Sequence, residues 1–210
     1  MDNLYPKLVN TARNKELILY RRCPAKRLGT LTVILNIRVE LPGNNGNILV
    51  TEELLDTLGI SKEEAIRKAY ENLKRESFTF KLRDMNGIIR DLLKENAGEV
   101  MEDVPEVSGM YVLTNSTGFY GATAILDEGT RKSIRDRIGD YYVLPSSVHE
   151  VILVPVSYGS DPYELREMVK SVNATQVADE DYLSDEVYIV TDEGFREAIG
   201  NGYGEADLTA

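Results

Sequence analysis

The sequence predicts an α+β fold: a mainly antiparallel sheet with helices packed on one face, preceded by a smaller α+β N-terminal part. Several short segments alternate apolar and polar residues and are separated by Gly, Asn and Pro, which predicts strands joined by turns. Other segments repeat apolar residues every three or four positions, which is typical of amphipathic helices. The second half lacks a strict alternation of strand and helix, so we expect hairpins rather than parallel crossovers.

The first half begins with extended segments. Residues 16–20 and 30–41 are rich in β-branched or alternating apolar residues, and both are predicted to be strands. Residues 42–47 read Pro-Gly-Asn-Asn-Gly-Asn, which favours a turn because Gly and Asn tolerate positive φ. Residues 48–50 then return as a short strand, so this region predicts a hairpin.

Two helices are predicted next. The first starts after Thr51 and ends at Gly59, and the second starts at Ser61 and ends near Ser77. Ser61 and Glu64 have the spacing of a capping box, in which each side chain satisfies a free backbone amide at the helix start.

The rest of the first half predicts an extended segment, a short helix and a linker. Residues 78–82 are predicted to be extended and residues 88–96 helical, while residues 99–109 combine Pro, Gly and several acids. The chain is therefore predicted to divide into an N-terminal α+β part (1–98), a C-terminal α+β domain (108–200) and a flexible tail (201–210).

The second half predicts the order β-β-α-β-β-α-β-α. Gly139 and Pro162 mark helix boundaries, since Gly favours the position after a helix and Pro its first turn. The predicted segments are, in order, 110–114, 119–126, 129–138, 141–144, 148–154, a helix from 162, 186–191 and 193–199.

Charge is distributed unevenly along the 210 residues. Residues 1–100 carry 17 basic and 14 acidic side chains and residues 101–210 carry 7 and 21, so the net charges are +3 and −14. The acidic half would repel phosphates, so we expect neither direct nucleic-acid binding nor attachment to an anionic membrane. A basic cluster in the first half is interpreted as a solvated face or as a docking site for the acidic half; it consists of Arg13, Lys15, Arg21, Arg22, Lys26 and Arg27.

Composition also predicts the compartment. No apolar run approaches the ~20 residues that span a bilayer, and the first residues lack the basic and then apolar order of a signal peptide. Cys23 is the sole cysteine, so an internal disulfide and a thiolate zinc cluster are excluded. A cytoplasmic location is expected.

Five motifs of the second half occur together in a fixed order and resemble a bacterial domain-of-unknown-function family, family 5688. The resemblance is good over residues 100–190 and loose before them. It implies no activity, cofactor or catalytic residue, so no functional residue is transferred from the family. The motifs are Val112-Leu113-Thr114-Asn115, Gly121-Ala122, Leu144-Pro145-Ser146-Ser147-Val148-His149-Glu150, Val172-Asn173-Ala174-Thr175 and Leu183-Ser184-Asp185-Glu186-Val187-Tyr188.

The only histidine defines the catalytic candidates Ser146, Ser147 and His149. A hydroxyl, an imidazole and the nearby carboxylate of Glu150 are the groups that nucleophilic catalysis needs. On a strand, however, Ser147 and His149 would share one face and Glu150 would point away, so a triad would need a carboxylate from elsewhere. No Gly-x-Ser-x-Gly elbow exposes a serine. A structural strand entry is therefore the favoured interpretation.

No metal or cofactor is expected. His149 and Glu150 begin like a zinc-peptidase helix, but the second histidine is missing, so that class is rejected. The acids at 179–181 and 185–186 lack the glycine and spacing of a calcium loop. The glycine-rich turns lack the Lys-Ser/Thr of a phosphate-binding loop.

The leading hypothesis is a soluble, non-enzymatic interaction protein whose acidic half binds a protein partner. The expected contact surface consists of Asp179, Glu180, Asp181, Asp185 and Glu186. Two alternatives remain open at this point: a hydrolase around Ser146–His149, and a small-molecule sensor with an enclosed apolar pocket. A homo-oligomer is compatible with each of them.

Overall fold

The computed structural model describes residues 2–41, 44–76, 79–97 and 109–200. The predicted tail, 201–210, and nearly all of the predicted linker lie outside these ranges. Within them, no helix combines the length and the apolar character needed to cross a membrane.

The first half forms a four-stranded antiparallel sheet with helices beside it. β3 is the central strand; it pairs along one side with β1 and along the other with β2 and then β4. The elements are β1 (Leu4–Asn10), α1 (Lys15–Tyr20), β2 (Ala25–Leu28), β3 (Leu31–Leu41), β4 (Asn44–Leu49), α2 (Glu52–Leu58), α3 (Lys62–Glu76), β5 (Lys81–Asp84) and α4 (Met85–Ala97).

Several local predictions for this half are confirmed. β3 and β4 form the expected hairpin, although β4 begins at Asn44, inside the predicted turn, and not at residue 48. Thr51 caps α2, its hydroxyl accepting the Leu54 amide at 3.2 Å, and Gly59 ends the helix with φ +66°. Ser61 accepts the Glu64 amide at 3.1 Å before α3. These features were predictable because a cap depends on residues within one helical turn.

The second sheet has six antiparallel strands in the order β10-β9-β7-β8-β6-β5. Its edge strand β5 lies within the predicted N-terminal part, yet it pairs with β6. The remaining elements are β6 (Tyr111–Thr114), a 3₁₀ segment (Gly121–Leu126), α5 (Glu128–Ile138), β7 (Tyr141–Leu144), β8 (Val151–Pro155), a 3₁₀ turn (Val156–Tyr158), α6 (Pro162–Gln176), β9 (Tyr188–Thr191) and β10 (Gly194–Glu197).

The predicted α+β class with antiparallel sheets is confirmed, but the helices of the second half cover both faces of its sheet. Tyr141 and Val143 belong to the same buried cluster as Ile134 of α5. Tyr142 and Leu144 point the other way and belong to the cluster that contains Leu165 and Val169 of α6. The prediction of helices on one face was therefore wrong for α6. A strand such as β7, which is buried along its whole length, gives no alternation to indicate a solvated face.

Three predicted elements have a different structure. Residues 16–20 form the short helix α1 rather than a strand, residues 119–126 form a turn and a 3₁₀ segment rather than a strand, and residues 193–199 contain β10 rather than a helix. Short apolar runs do not distinguish helix from strand by periodicity. In the 3₁₀ segment all six residues are buried, so the sequence shows no alternation.

A single buried cluster includes residues from both sheets. Leu8, Leu31 and Val33 of the first sheet belong to it together with Leu113 and Tyr188 of the second. The side of the first sheet that faces the second is thus part of the main core.

Candidate functional site

The segment from Pro145 to His149 lies at one end of the central strands of the second sheet, where β7 ends and before β8 begins. Three backbone hydrogen bonds of 2.8–2.9 Å join it to residues 181–184, and on its other side the Ala122 amide donates to the Val148 carbonyl at 3.2 Å. Ser147 forms only an isolated bridge with Tyr182. β8 therefore begins at Val151, not at residue 148 as predicted, because these bonds replace a regular ladder.

Both ring nitrogens of His149 are occupied. The Tyr120 backbone amide donates to Nδ1 at 3.2 Å, and Nε2 lies 2.9 Å from Asp181 Oδ1. A backbone N–H can only donate, so Nδ1 must accept and the ring proton of the neutral imidazole lies on Nε2, facing the carboxylate. The side chains of His149 and Asp181 are 29% and 36% exposed. The pair thus fastens the 120 and 181 segments to His149.

The two candidate serines do not bond the imidazole. The Ser147 hydroxyl accepts the backbone amide of His149 at 3.0 Å, and Ser146 is buried with 9% exposure. Among the described residues, no hydrogen bond joins either hydroxyl to the ring. Glu150 is exposed, and the carboxylate at the imidazole comes instead from Asp181. Among the described residues, the site therefore has a His–Asp pair to which neither candidate serine is bonded.

Aromatic rings cover this pair. The Tyr120 ring stacks on His149 with centroids 5.7 Å apart at 21°, and the Phe119 ring lies 5.4 Å away. Lys7 of β1 places its ammonium 4.0 Å from the centroid of the Tyr120 ring, a cation–π contact. Phe119 is 46% exposed, so the cluster is open to solvent on that side.

Gly121 determines how closely the chain packs behind His149. A Cβ at this position would lie 2.2 Å from Thr114 Oγ1 and 2.5 Å from the His149 carbonyl oxygen. Tyr120, immediately before it, has φ +52°, which is uncommon for a residue with a side chain. The tight packing and the left-handed backbone together explain why the predicted strand does not form here.

The predicted acidic contact surface is mostly engaged in internal bonds. Asp179 pairs with Arg13 of the basic cluster at 3.1 Å, which agrees with docking of the two halves. Asp185 accepts the Asn173 amide at 2.7 Å, and Glu186 pairs with Arg166 at 2.6 Å. With Asp181 bonded to His149, Glu180 alone of these five acids has no bond among the described residues. Most of these acids thus bond to other groups of the chain.

Other acids lie at the opposite end of these strands of the second sheet. β7 starts, β8 ends and β9 turns into β10 at this end, since Tyr141 pairs with both Pro155 and Val190, and Thr191 pairs with Gly194. The exposed acids and tyrosines in the connections at these strand ends and in the first turn of α6 are here named the acidic edge: Asp140, Tyr158, Asp161, Tyr163, Glu164, Asp192 and Glu193. Its tyrosines are 54% (Tyr158) and 63% (Tyr163) exposed.

Cys23 is not placed for nucleophilic chemistry. Its thiol is buried and donates to the Leu17 carbonyl at 3.2 Å. Burial raises the pKa of this thiol, and the nearby Arg21 only partly offsets the effect. The reactive thiolate is therefore disfavoured.

Comparison with family models gives a match over residues 1–191 to a family of unknown function, DUF5688. The chain belongs to this family. The match confirms the family suspected from the second half and extends it over the first sheet. No curated protein and no solved structure matches the chain.

The sequence of this DUF5688 member gave no local signal for Asp181 as the partner of His149. The two residues are 32 positions apart, and Asp181 lies in a run of three acids whose members look equivalent in sequence. Tyr120 was also missed, because it acts through its backbone amide. Bonds from the 145–149 segment bring these groups together, on one side to residues 181–184 and on the other to residues 120–122.

Two cavities lie away from His149. One, of about 340 Å³, is a cleft beside α3 and α5 and is lined by apolar, hydroxyl and charged side chains. The other, of about 480 Å³, is lined mainly by aliphatic residues of the first half, among them Leu4, Ile37 and Leu55. Both are within the ~300–1,000 Å³ of typical ligand pockets.

Proposed function

We propose that this DUF5688 chain is a non-enzymatic interaction protein that binds a basic partner protein through its acidic edge. The observation that supports it is that two exposed tyrosines and five exposed carboxylates lie at the same end of the second sheet. The proposal keeps the partner class expected from the charge and moves the contact from residues 179–186 to the other end of the sheet.

Availability of charge distinguishes the two surfaces. Four of the five acids between 179 and 186 bond to groups of the chain itself, and three of these, Asp181, Asp185 and Glu186, are only partly exposed. The fourth, Asp179, has a fully exposed side chain and pairs with Arg13 at the surface. At the acidic edge, Asp192 and Glu193 are exposed in the turn between β9 and β10, and neither carboxylate has a bond among the described residues. Their charge is free to act on a partner.

The tyrosines supply the anchor that charge alone lacks. Tyrosine has a large apolar ring and a polar hydroxyl, and it is enriched among residues that contribute most to protein interfaces. Tyr158 and Tyr163 lie on either side of Asp161, whose carboxylate caps α6 by accepting the Tyr163 amide at 2.8 Å. The cap fixes the start of the helix, so Tyr163 is presented from a defined backbone.

Charge complementarity would act chiefly on association. Residues 109–200 carry 7 basic and 16 acidic side chains, so a basic partner is attracted before contact. Attraction between exposed charges is screened beyond ~8–10 Å at physiological salt. Binding should therefore weaken as salt increases, mainly through a slower association rate.

The test uses affinity capture from the native cytoplasm followed by measurement of the purified partner. The bait Asp192→Asn/Glu193→Gln should lose a basic protein that the unchanged bait captures, and its dissociation constant for that protein should rise about tenfold. The matched control is Asp179→Asn/Glu180→Gln, which removes the same two charges from the other acidic segment. It should change the constant less than about twofold.

The reverse pattern would assign the contact to residues 179–186 and contradict the acidic edge. Equal capture by all three baits, or binding that is insensitive to salt, would contradict the electrostatic proposal as a whole. Tyr163→Ser should weaken the same complex at high salt as well, because the contact of the ring is not screened.

The hydrolase hypothesis gains no support from the geometry. A catalytic imidazole needs one nitrogen free to take a proton from the nucleophile. In His149 that nitrogen accepts the Tyr120 amide, and the nearest serine hydroxyl bonds to backbone.

A further inference from the structure

The cleft beside α3 and α5 has the features of a ligand site separate from the acidic edge. Lys74 lines it from α3, Arg137 from α5, and Leu82 and Leu113 from the paired strands β5 and β6. Its walls thus come from both halves of the chain, and ligand pockets are frequent at such junctions.

The floor of the cleft is apolar. Leu113 and Ile134 are buried in the main core at 1% and 5% exposure, and Phe80 and Leu82 pack against the same cluster. An aliphatic or aromatic body of a small molecule could cover this floor and lose its contact with water, which is favourable by about 25 cal/mol per Å² of apolar surface.

The rim carries positive charge and a hydroxyl donor. Lys74 and Arg137 are exposed cations, and Ser133 places a hydroxyl on α5 one turn before Arg137. Arg137 forms no ion pair or hydrogen bond with any described residue, although the second half has a large excess of acids. Its guanidinium is therefore available to a ligand anion.

Asp127, the one carboxylate among the described lining residues, already accepts two hydrogen bonds from the chain. Asp127 caps α5, and its Oδ2 accepts both the amide and the hydroxyl of Thr130 at 2.7 Å. A ligand cation would have to compete with these bonds, whereas a ligand anion meets the guanidinium of Arg137 at the rim.

We infer that this cleft binds a small amphipathic carboxylate, its apolar body on the Leu113–Ile134 floor and its carboxylate at Arg137. Arginine suits a carboxylate because its planar guanidinium donates two parallel hydrogen bonds. The volume of about 340 Å³ limits the ligand to a short chain or a single ring. The inference does not depend on the acidic edge, since no residue of that surface lines the cleft.

The first test compares three probes with the same body and different head groups, titrated calorimetrically into the full chain. Octanoate should bind saturably, while octan-1-ol and octylamine should bind at least about tenfold more weakly, since they lack the charge-assisted contact or reverse its sign. Similar affinity for all three would show an unselective apolar cleft and overturn the inference. Absence of saturable octanoate binding would overturn it as well.

The second test uses two arginines of the same helix. Arg137→Gln should weaken octanoate binding about tenfold. Arg135→Gln is the matched control, because Arg135 makes only a 3.7 Å contact with Asp140 and does not line the cleft. It should change the affinity less than about twofold. An equal loss of octanoate affinity in both variants would show that only the net charge matters and would contradict the site.

Two further variants separate this inference from folding and from the proposed partner site. Ser133→Trp should block octanoate while circular dichroism stays unchanged, because Ser133 is exposed. Asp192→Asn/Glu193→Gln should bind octanoate like the unchanged chain. Loss of octanoate in that variant would contradict the independence of the two sites.

Discussion

At the scale of single residues, Gly121 is a position where the structure leaves no room for a side chain. The strand end at Thr114 and the His149 carbonyl both lie within 3 Å of where a Cβ would be. Neither neighbour is the far end of a flexible side chain, so the backbone itself would have to move.

Gly121→Ala should therefore destabilise the protein by about 3 kcal/mol, the upper range for overpacking a buried site. Urea unfolding followed by circular dichroism measures the change. The matched control is Gly87→Ala in α4, where nothing lies within 4 Å of the added Cβ. That variant should be neutral or stabilising by about 0.5–1 kcal/mol, because Ala favours helix over Gly. A loss below about 1 kcal/mol for Gly121→Ala would contradict the packing described here.

His149 shows how residue chemistry depends on distant groups. Strand alternation correctly indicated that Glu150 would not serve the imidazole. It could not indicate that Asp181 would, or that Tyr120 would donate to Nδ1, since both contacts depend on how three separate segments meet. The residue types that nucleophilic catalysis needs are present, but the described bonds of the imidazole go to Tyr120 and Asp181 and not to a serine.

At the scale of elements, the side chain of Tyr188 links the second sheet to the first. The Tyr188 hydroxyl of β9 donates to the Leu28 carbonyl at 2.9 Å and accepts the Thr30 amide at 3.1 Å, which places it on the turn between β2 and β3. Glu197 of β10 accepts the same Thr30 amide at 2.8 Å. The β9–β10 hairpin thus holds the β2–β3 turn.

Tyr188→Phe should cost about 1–3 kcal/mol, because it leaves a buried carbonyl without its donor. Tyr142→Phe in β7 is the control: Tyr142 is also buried, but its hydroxyl has no bond among the described residues. It should cost less than about 1 kcal/mol. Thermal or urea unfolding of both variants measures the difference, and equal values would contradict the role of the hydroxyl as the link.

At the scale of the whole molecule, the core contains several tyrosine hydroxyls. Burial raises the pKa of Tyr70 to about 12, an effect that the nearby Arg131 only partly offsets. Burial also raises the pKa of Tyr141 and of Tyr188. A phenol in the unfolded chain ionises near pH 10. Between these pH values the unfolded state loses protons that the folded state keeps.

Stability should accordingly be unaffected by these groups below pH 10 and fall as the pH rises from about 10 to 12. Each such tyrosine lowers the free energy of unfolding by about 1.4 kcal/mol per pH unit over that interval. Urea unfolding at several pH values measures the slope, and Tyr70→Phe should flatten it. Ionisation of all 12 tyrosines near pH 10 with the fold intact, followed by absorbance at 295 nm, would contradict the prediction.

The sequence by itself determined the features that depend on near neighbours in the chain. It predicted the α+β class, the β3–β4 hairpin, the capped helices α2 and α3, the end of α5 at Gly139 and the family. Each follows from a periodicity or a cap that involves residues within a few positions of one another.

Only the tertiary structure decided the features that depend on distant segments. The pairing of β5 with the second sheet, the two helix-covered faces and the Asp181–His149 bond all join residues well separated in sequence. The same holds for the acids: sequence placed the contact at residues 179–186 because charge is dense there. In the structure, four of those five carboxylates bond to groups of the chain itself. Asp192 and Glu193, which have no bond among the described residues, lie at the opposite end of the strands, where β9 turns into β10.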